Sequence, residues 1–494
     1  MCGIIGVIAK KPIQDLLVNS LTGLQHRGQQ SAGIALMDGN LMHIKKSLGL
    51  VKDAITRADM EYLQGNAGIG HVRYPTAGSA NDPEQAQPFY VNSPFGILLA
   101  HNGNLTNAKP LRDNLLKQNH RHVRTGSDTE ILTNMFALRL GELTIGSNLN
   151  NNKIFAAIRQ LNTEIMGGYA VVSLIADYGL VAFRDPNGIR PLVLGKKTEP
   201  DGGVIYIVSS ETCALNVNGF ELLRTIAPGE CLIITSDGQI ESQICAENPS
   251  LNICIFEYVY LSRPDSIIEG VPVQQARQNM GKYLAQTIKE TGIDIDVIIP
   301  VPDTARSTAI EVAASLGIPL REGFVKNSFA GRTFMLTNAG QRTTAVRNKL
   351  CPVAIEFKDK NVMLVDDSIV RGTTSAEIIA IIRSCGAKKV YIASAAPQIR
   401  YPNVYGIDIP TYNELIAHNR SDAKIAEQIG ADLVIFQTLE NLQKSITDIN
   451  PTLTHFEASC FDGKYITGNI TTEYLEALSP VTWNKIRNSL SSNK

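Results

Sequence analysis

Residues Val362 to Thr374, VMLVDDSIVRGTT, constrain this chain more than any other stretch. Four apolar residues run into two adjacent carboxylates, Asp366 and Asp367. Ser368, an apolar pair that includes Val370, Arg371, Gly372, Thr373 and Thr374 follow. A short apolar run closed by turn residues reads as a buried strand. From Thr373 onward, TTSAEIIAIIRSCGA predicts a helix with a hydroxyl cap and a glycine near its end. The acidic pair thus falls at the carboxyl end of a strand, and the small and hydroxyl residues at a helix N-terminus. Unpaired N–H groups and the helix dipole make such a terminus a seat for phosphate. Paired carboxylates suit Mg2+ or the hydroxyls of a sugar. Phosphate and sugar on one loop imply a phosphorylated ribose. A bare Asp pair after a strand is most often solvated; the whole combination sets this stretch apart.

At 494 residues the chain has room for roughly two to four domains of ~150 residues each. Its 44% hydrophobic and 19% charged composition excludes a disordered chain. A net charge of -1 gives no global attraction to nucleic acid or to an anionic membrane, and neither is expected as a partner. No apolar run approaches the ~20 residues that span a bilayer. MCGIIGVIAKKP lacks the basic start and long apolar region of a signal peptide, so no leader is expected. The eight cysteines are scattered without a C-x-x-C pair, which argues against a disulfide framework or zinc site and for a reducing cytoplasm.

Two textures divide the sequence. Up to about residue 235, short apolar runs such as CGIIGVIA, FGILLAHNG and YAVVSLIADYGLVAFRD are punctuated by glycine and asparagine, as in antiparallel sheets. Helical stretches are expected around 14–24, 128–140 and 153–166. These features predict an α+β layered domain over residues 2–240. From about 257, helical stretches alternate with single strands at 293–303, 361–367 and 388–397. That pattern predicts an α/β domain with a mostly parallel sheet over 257–440. The boundary is expected within 240–256, and residues 441–494 as a C-terminal helical extension on the second domain.

Met1 precedes a small residue, Cys2, so its removal is expected. The thiol would then share a carbon framework with a free α-amine, whose pKa near ~8 lets it serve as the base. Other polar residues fall at element ends: His26-Arg27-Gly28-Gln29; Arg73, a fork for a carboxylate; Asn102-Gly103, an amide and an N–H suited to an oxyanion; and Ser127-Asp128 at a helix start. Alone, Ser127 or Asp128 is most simply an N-cap and Asn102-Gly103 a turn.

Together, MCGIIGV, LQHRGQQSAGIA, GIGHVRYPTAG, LAHNGNLTN, SDTE and FRDPNGIRPL resemble the class II glutamine amidotransferase domain of the N-terminal-nucleophile hydrolases. The resemblance implies that Cys2 attacks the glutamine amide, Asn102 and Gly103 stabilise the oxyanion, and Arg73, Thr76 and Asp128 hold the substrate. VMLVDDSIVRGTT in turn resembles the loop of type I phosphoribosyltransferases. With FEYVYLSRPDS, IIPVPDTA, GFVKNSFAGRTF and VYGIDIPT, the two halves resemble the amidophosphoribosyltransferase family over nearly the whole chain. A pentosyltransferase is therefore expected, giving 5-phosphoribosylamine, glutamate and pyrophosphate at the start of purine synthesis. The implied phosphoribosyl pyrophosphate site comprises Asp366, Asp367, Ser368, Val370, Arg371, Gly372, Thr373 and Thr374, with Lys326 and Arg332 on the pyrophosphate. Thr304, Asp366 and Asp367 would form the surroundings of one Mg2+ per subunit. The segment containing Tyr258 is the expected wall of an ammonia passage. Purine nucleotides are the implied feedback inhibitors, and a tetramer or dimer the implied assembly.

Some members of that family carry an iron–sulfur cluster on four cysteines. Two such positions here are Cys254 and Cys460, while the other two are Asn403 and Glu457, so no cluster is expected. The phosphoribosyl loop argues against a sugar-phosphate aminotransferase fusion or an asparagine synthetase. The intact set of Cys2, Arg73, Asn102 and Asp128 argues against a salvage phosphoribosyltransferase, and the neutral charge against a DNA-binding regulator of this fold.

Overall fold

Two antiparallel sheets lie face to face in the first half. In the seven-stranded sheet Gly3–Ile8 is hydrogen-bonded between Ala67–Arg73 and Val204–Ser209. In the six-stranded sheet Ile97–Leu105 lies between Phe89–Val91 and Gly167–Ile175. Side chains alternate along a strand, and that alternation sorts the apolar residues. Ile4 and Ile8 enter the space between the sheets with Leu98, Ala100, Val172 and Leu180. Gly6 shares that face; a Cβ there would meet Leu180 Cδ1 at 2.7 Å, so its absence lets the sheets close. Ile5 and Val7 point outward onto Leu17 and Leu21 of helix Gln14–Gly23. Beyond the other sheet, Leu99 and Val171 pack against helices Asp128–Leu143 and Asn151–Glu164. The result is the expected α+β sandwich, layered helix–sheet–sheet–helix. The computed structural model describes residues 1–74, 82–327, 350–409 and 411–478.

The second half holds four parallel strands in the order Val297–Pro300, Asn361–Asp366, Lys389–Ser394 and Leu433–Phe436. Leu433–Phe436 was not among the expected strands, because four residues give too short a pattern. Met363 and Val365 face helices Val273–Glu290 and Arg306–Leu316, whereas Val362 and Leu364 face helices Thr373–Ser384 and Asp422–Ile429. Being covered on both sides, the strand is apolar from Val362 to Val365. Pro300 pairs with Val365, Asp366 with Ser394 and Ser394 with Phe436, so the carboxyl ends come level at one edge.

A third core gathers distant segments: Met1, Ile189, Cys254, Phe256, Tyr405, Phe461 and Leu475. Ile253–Cys254 pairs in parallel with Phe456–Glu457, and Asn469 Nδ2 donates to Thr106 Oγ1 at 2.9 Å. The late segment therefore binds both halves. Among the described residues no helix is long and apolar enough to cross a membrane.

Candidate active sites

Cys2 immediately precedes the central strand and is buried. Its thiol lies 3.6 Å from the Tyr74 carbonyl, and its own carbonyl accepts from Arg27 Nε at 2.9 Å. Arg73 ends the adjacent strand, where Gln85 Oε1 accepts from its Nη2 at 3.0 Å. Burial pushes the Arg73 guanidinium down from its ordinary value, opposed by the charges of Cys2, Asp128 and Asp82. These groups thus share one electrostatic neighbourhood. Asn102 is fully buried near the end of Ile97–Leu105, and neither its Oδ1 nor its Nδ2 has a partner among the described residues. Gly103 follows at φ +146, and a Cβ there would lie 1.9 Å from the Gly168 oxygen, so only glycine fits. Asp128 opens its helix; Oδ2 accepts from the Leu105 N–H at 3.0 Å and lies 3.9 Å from His101 Nδ1. Ser127 caps the same helix, accepting from the Thr129 N–H at 3.3 Å. Thr76 lies outside the described residues.

Arg27 carries a buried ion cluster. Its Nη1 and Nη2 donate to Glu257 at 3.0 and 2.9 Å, and Nη1 also donates to Glu211. Burial opposes these charges, yet the carboxylates raise Arg27 above its ordinary value, and Arg27 with His26 holds Glu211 well below the carboxylate range. Neither glutamate was expected as a site residue. They lie 184 and 230 positions from Arg27, a separation that leaves no local signal.

In the second half, Asn361–Asp366 delivers the acidic pair to the strand edge. Asp366 Oδ1 accepts from the Asp367 N–H at 2.9 Å, and Asp367 Oδ1 from Ser368 Oγ at 2.8 Å. Burial, and for Asp366 the charge of Asp367, pushes both carboxyls up, Asp367 to about 6. The helix begins at Thr373, but its cap is Gly372 at φ +74, with no side-chain hydrogen bond. This corrects the expected hydroxyl cap: Thr373 and Thr374 sit one turn position too late, exposed, and the first N–H groups have no capping oxygen. Val370 O accepts from the Ile416 N–H at 3.0 Å, and Arg371 Nε donates to Glu414 at 2.9 Å. Thr304 lies in the turn after Val297–Pro300, the strand beside Asn361–Asp366. Lys326 closes the short strand Phe324–Lys326 and pairs with Asp303; Arg332 lies outside the described residues. Tyr258 is buried with its hydroxyl on the Ile268 carbonyl at 3.1 Å. Its neighbour Tyr260 is the exposed one and lies in the field of Asp367, Tyr74 and Asp366.

Two family profiles match, a glutamine amidotransferase domain over residues 76–216 and a phosphoribosyl transferase domain over residues 272–404. The chain is 52% identical to the amidophosphoribosyltransferase of Haemophilus influenzae, over 97% of this chain and 95% of the relative. Identity to the amidophosphoribosyltransferase of Escherichia coli is also 52%, with 97% and 95% covered. Among solved structures, the glutamine phosphoribosylpyrophosphate amidotransferase of B. subtilis, complexed with ADP and GMP, superposes with a TM-score of 0.82 at 36% identity. That superposition covers 95% of this chain and 98% of the other.

Proposed function

This chain belongs to the amidophosphoribosyltransferase family, and we propose that Cys2 serves one of its sites and the Asp366–Asp367 pair the other. The enzyme takes ammonia from glutamine and delivers it to phosphoribosyl pyrophosphate, yielding 5-phosphoribosylamine, glutamate and pyrophosphate in purine synthesis. In our reading residues 2–240 hold the glutaminase site and 257–440 the acceptor site, with 441–494 as an extension.

Cys2 attacks the glutamine amide carbon. Loss of Met1 frees the α-amine of Cys2, whose ordinary value near ~8 lets it take the thiol proton as the base. Asn102 Nδ2 and the Gly103 N–H meet the oxyanion. Arg73 takes the substrate carboxylate, with Thr76 and Asp128 completing the pocket. In the second half, the uncapped N–H groups from Gly372 to Thr374 take the 5′-phosphate. Asp366 and Asp367 bind the ribose hydroxyls, and Lys326 and Arg332 the pyrophosphate. Two adjacent, partly buried carboxyls, both pushed up by burial and Asp366 also by the charge of Asp367, fit one divalent cation such as Mg2+, with Thr304 in the turn after the neighbouring strand. When bound, Mg2+ would supply charge neutralisation for the departing pyrophosphate.

An iron–sulfur cluster does not fit. Cys254 and Cys460 are buried thiols that burial pushes up. At the other two positions Asn403 Nδ2 donates to Glu457 at 3.4 Å, and Glu457 accepts from the Ser459 N–H at 2.9 Å. Those groups are engaged with each other and offer no thiolate. Purine nucleotides share the ribose phosphate of the substrate, so we assign them to the same loop as inhibitors; the relative bound to ADP and GMP supports this. Eight free cysteines fit a reducing cytoplasm.

The observation that carries the reading is the buried amide of Asn102, unpartnered among the described residues. Glutamate release, measured with and without phosphoribosyl pyrophosphate and Mg2+, tests it. Weak release alone and a large rise with the second substrate are expected. Cys2→Ala should abolish glutamine use and keep synthesis from ammonium salts; a variant that still uses glutamine would overturn the nucleophile assignment.

A further inference from the structure

A single turn links the two sites. Residues Glu257–Leu261 form a five-residue π-helical turn, a rare conformation that recurs at functional positions. Glu257, at its start, reaches into the first half. Its carboxylate accepts from Arg27 twice, from Ser262 Oγ at 2.7 Å and from Arg190 Nη1 at 3.4 Å, with no exposed surface. Arg27 in turn holds the carbonyl of Cys2. The same turn reaches the acceptor site from its other side. Arg277, itself buried, donates through Nε to the Tyr258 carbonyl at 2.9 Å and through Nη2 to the Ser262 carbonyl at 2.8 Å. Arg277 lies in the field of Asp367, and Tyr260 in that of Asp366, Asp367 and Tyr74. Hydrogen bonds therefore run from Arg277, which feels the charge of Asp367, through the turn, Glu257 and Arg27 to the nucleophile's backbone.

We propose that Glu257, acting through Arg27, is a positioning residue by which occupancy of the ribose-phosphate site sets the placement of Cys2. The inference rests on the assignments of Cys2 and of Asp366 and Asp367 made above. Substrate and cation at the acidic pair change the charge that Arg277 faces. Arg277 holds one carbonyl of the turn that carries Glu257 and one of the residue that ends it, and Glu257 fixes the guanidinium that holds the Cys2 carbonyl. A fork clamped by a carboxylate transmits a shift better than a loose contact, because both its hydrogen bonds fix its plane. A merely structural ion cluster would hold the halves together without responding to the second substrate.

Glu257→Gln in the full chain separates these roles. Synthesis from ammonium chloride and phosphoribosyl pyrophosphate should stay within twofold of the parent, because Glu257 touches neither substrate. Glutamine-dependent kcat should fall ten- to a hundredfold, and the stimulation of glutamate release by phosphoribosyl pyrophosphate should shrink by a similar factor. Glu257→Asp, which keeps the charge and shortens the reach, should give an intermediate loss; it carries the same test if the Gln variant does not fold. Unchanged stimulation, a parallel fall of both activities, or a parent without stimulation would each overturn the proposal. Cys2→Ala, run alongside, keeps the readings apart: if it retains glutamine use, the nucleophile assignment has failed rather than the coupling.

Discussion

Replacing Asn102 with Ala should cost catalysis and leave the fold standing. The side chain has no exposed surface and neither amide atom is paired among the described residues. A buried polar group in that state costs the fold about 1–3 kcal/mol. Truncation relieves that cost and loses three heavy atoms of packing, an opposing effect on the order of 1–2 kcal/mol. Stability should therefore stay within about 1–2 kcal/mol of the parent, with either sign allowed. Catalysis has no such compensation. Loss of one oxyanion donor lowers kcat by about 100- to 1000-fold, or ~2.7–4 kcal/mol of transition-state stabilisation. The assay compares glutamine-dependent with ammonium-dependent phosphoribosylamine formation, alongside urea unfolding monitored by circular dichroism. Asn102→Asp, which sets a negative charge where the oxyanion forms, should be at least as damaging to glutamine use. Glutamine turnover within threefold of the parent would refute the reasoning. So would a loss of stability beyond ~3 kcal/mol accompanied by loss of the ammonium reaction, since that would make the amide structural.

Gly372→Ala meets a backbone at φ +74 and would set a Cβ 2.2 Å from Ile416 Cδ1; a severalfold rise in KM for phosphoribosyl pyrophosphate is expected in the ammonium assay, where the glutamine site plays no part. Asp366→Asn should remove glutamine- and ammonium-dependent synthesis together, read by pyrophosphate release, because both routes end at the same acceptor. His71 and His101 are buried and pushed down by burial, so both stay neutral in the fold. In the unfolded chain they take up protons below about 6.5, so stability present above that pH is lost on acidification, by up to about 1.4 kcal/mol per pH unit for each ring. Urea unfolding between pH 7.5 and 5.5 checks this, and His71→Leu should flatten the slope if it folds. Iron and sulfide assays on anaerobically purified protein should find no cluster; about four irons per chain, as a [4Fe–4S] centre requires, would contradict the donor chemistry at Asn403 and Glu457.

Local pattern carried the sequence reading a long way, and its failures have a common cause. Strand Asn361–Asp366 and the helix from Thr373 are written in contiguous residues, as an apolar run and then a helical one, so both were legible. The cap was misread because Gly372 and Thr373 both suit a helix start, and only the backbone conformation decides between them. Cys2, Arg73, Asn102 and Asp128 were legible as residue types at element ends. The electrostatic neighbourhood that Cys2 and Asp128 share with Arg73 was not, because it depends on how the fold brings them together. Glu211 and Glu257 were invisible for the same reason: each is an ordinary glutamate until the fold sets it against Arg27. Tyr258 and Tyr260 stand two residues apart in one apolar segment, and only the π-helical turn decides which is buried.

The third core has a consequence for how the protein is made. Met1 leaves the ribosome first, but the buried cluster it belongs to also draws on residue 189, on 253–261, on 404–409 and on 453–475. The strand that seals the linker, Phe456–Glu457, is among the last to emerge. N-terminal regions generally fold as soon as they are synthesised, and here the two sheets of the first half can do so. The chain start still waits for its surroundings until the acceptor domain has been translated. The buried cluster around the chain start is thus completed only near the end of synthesis.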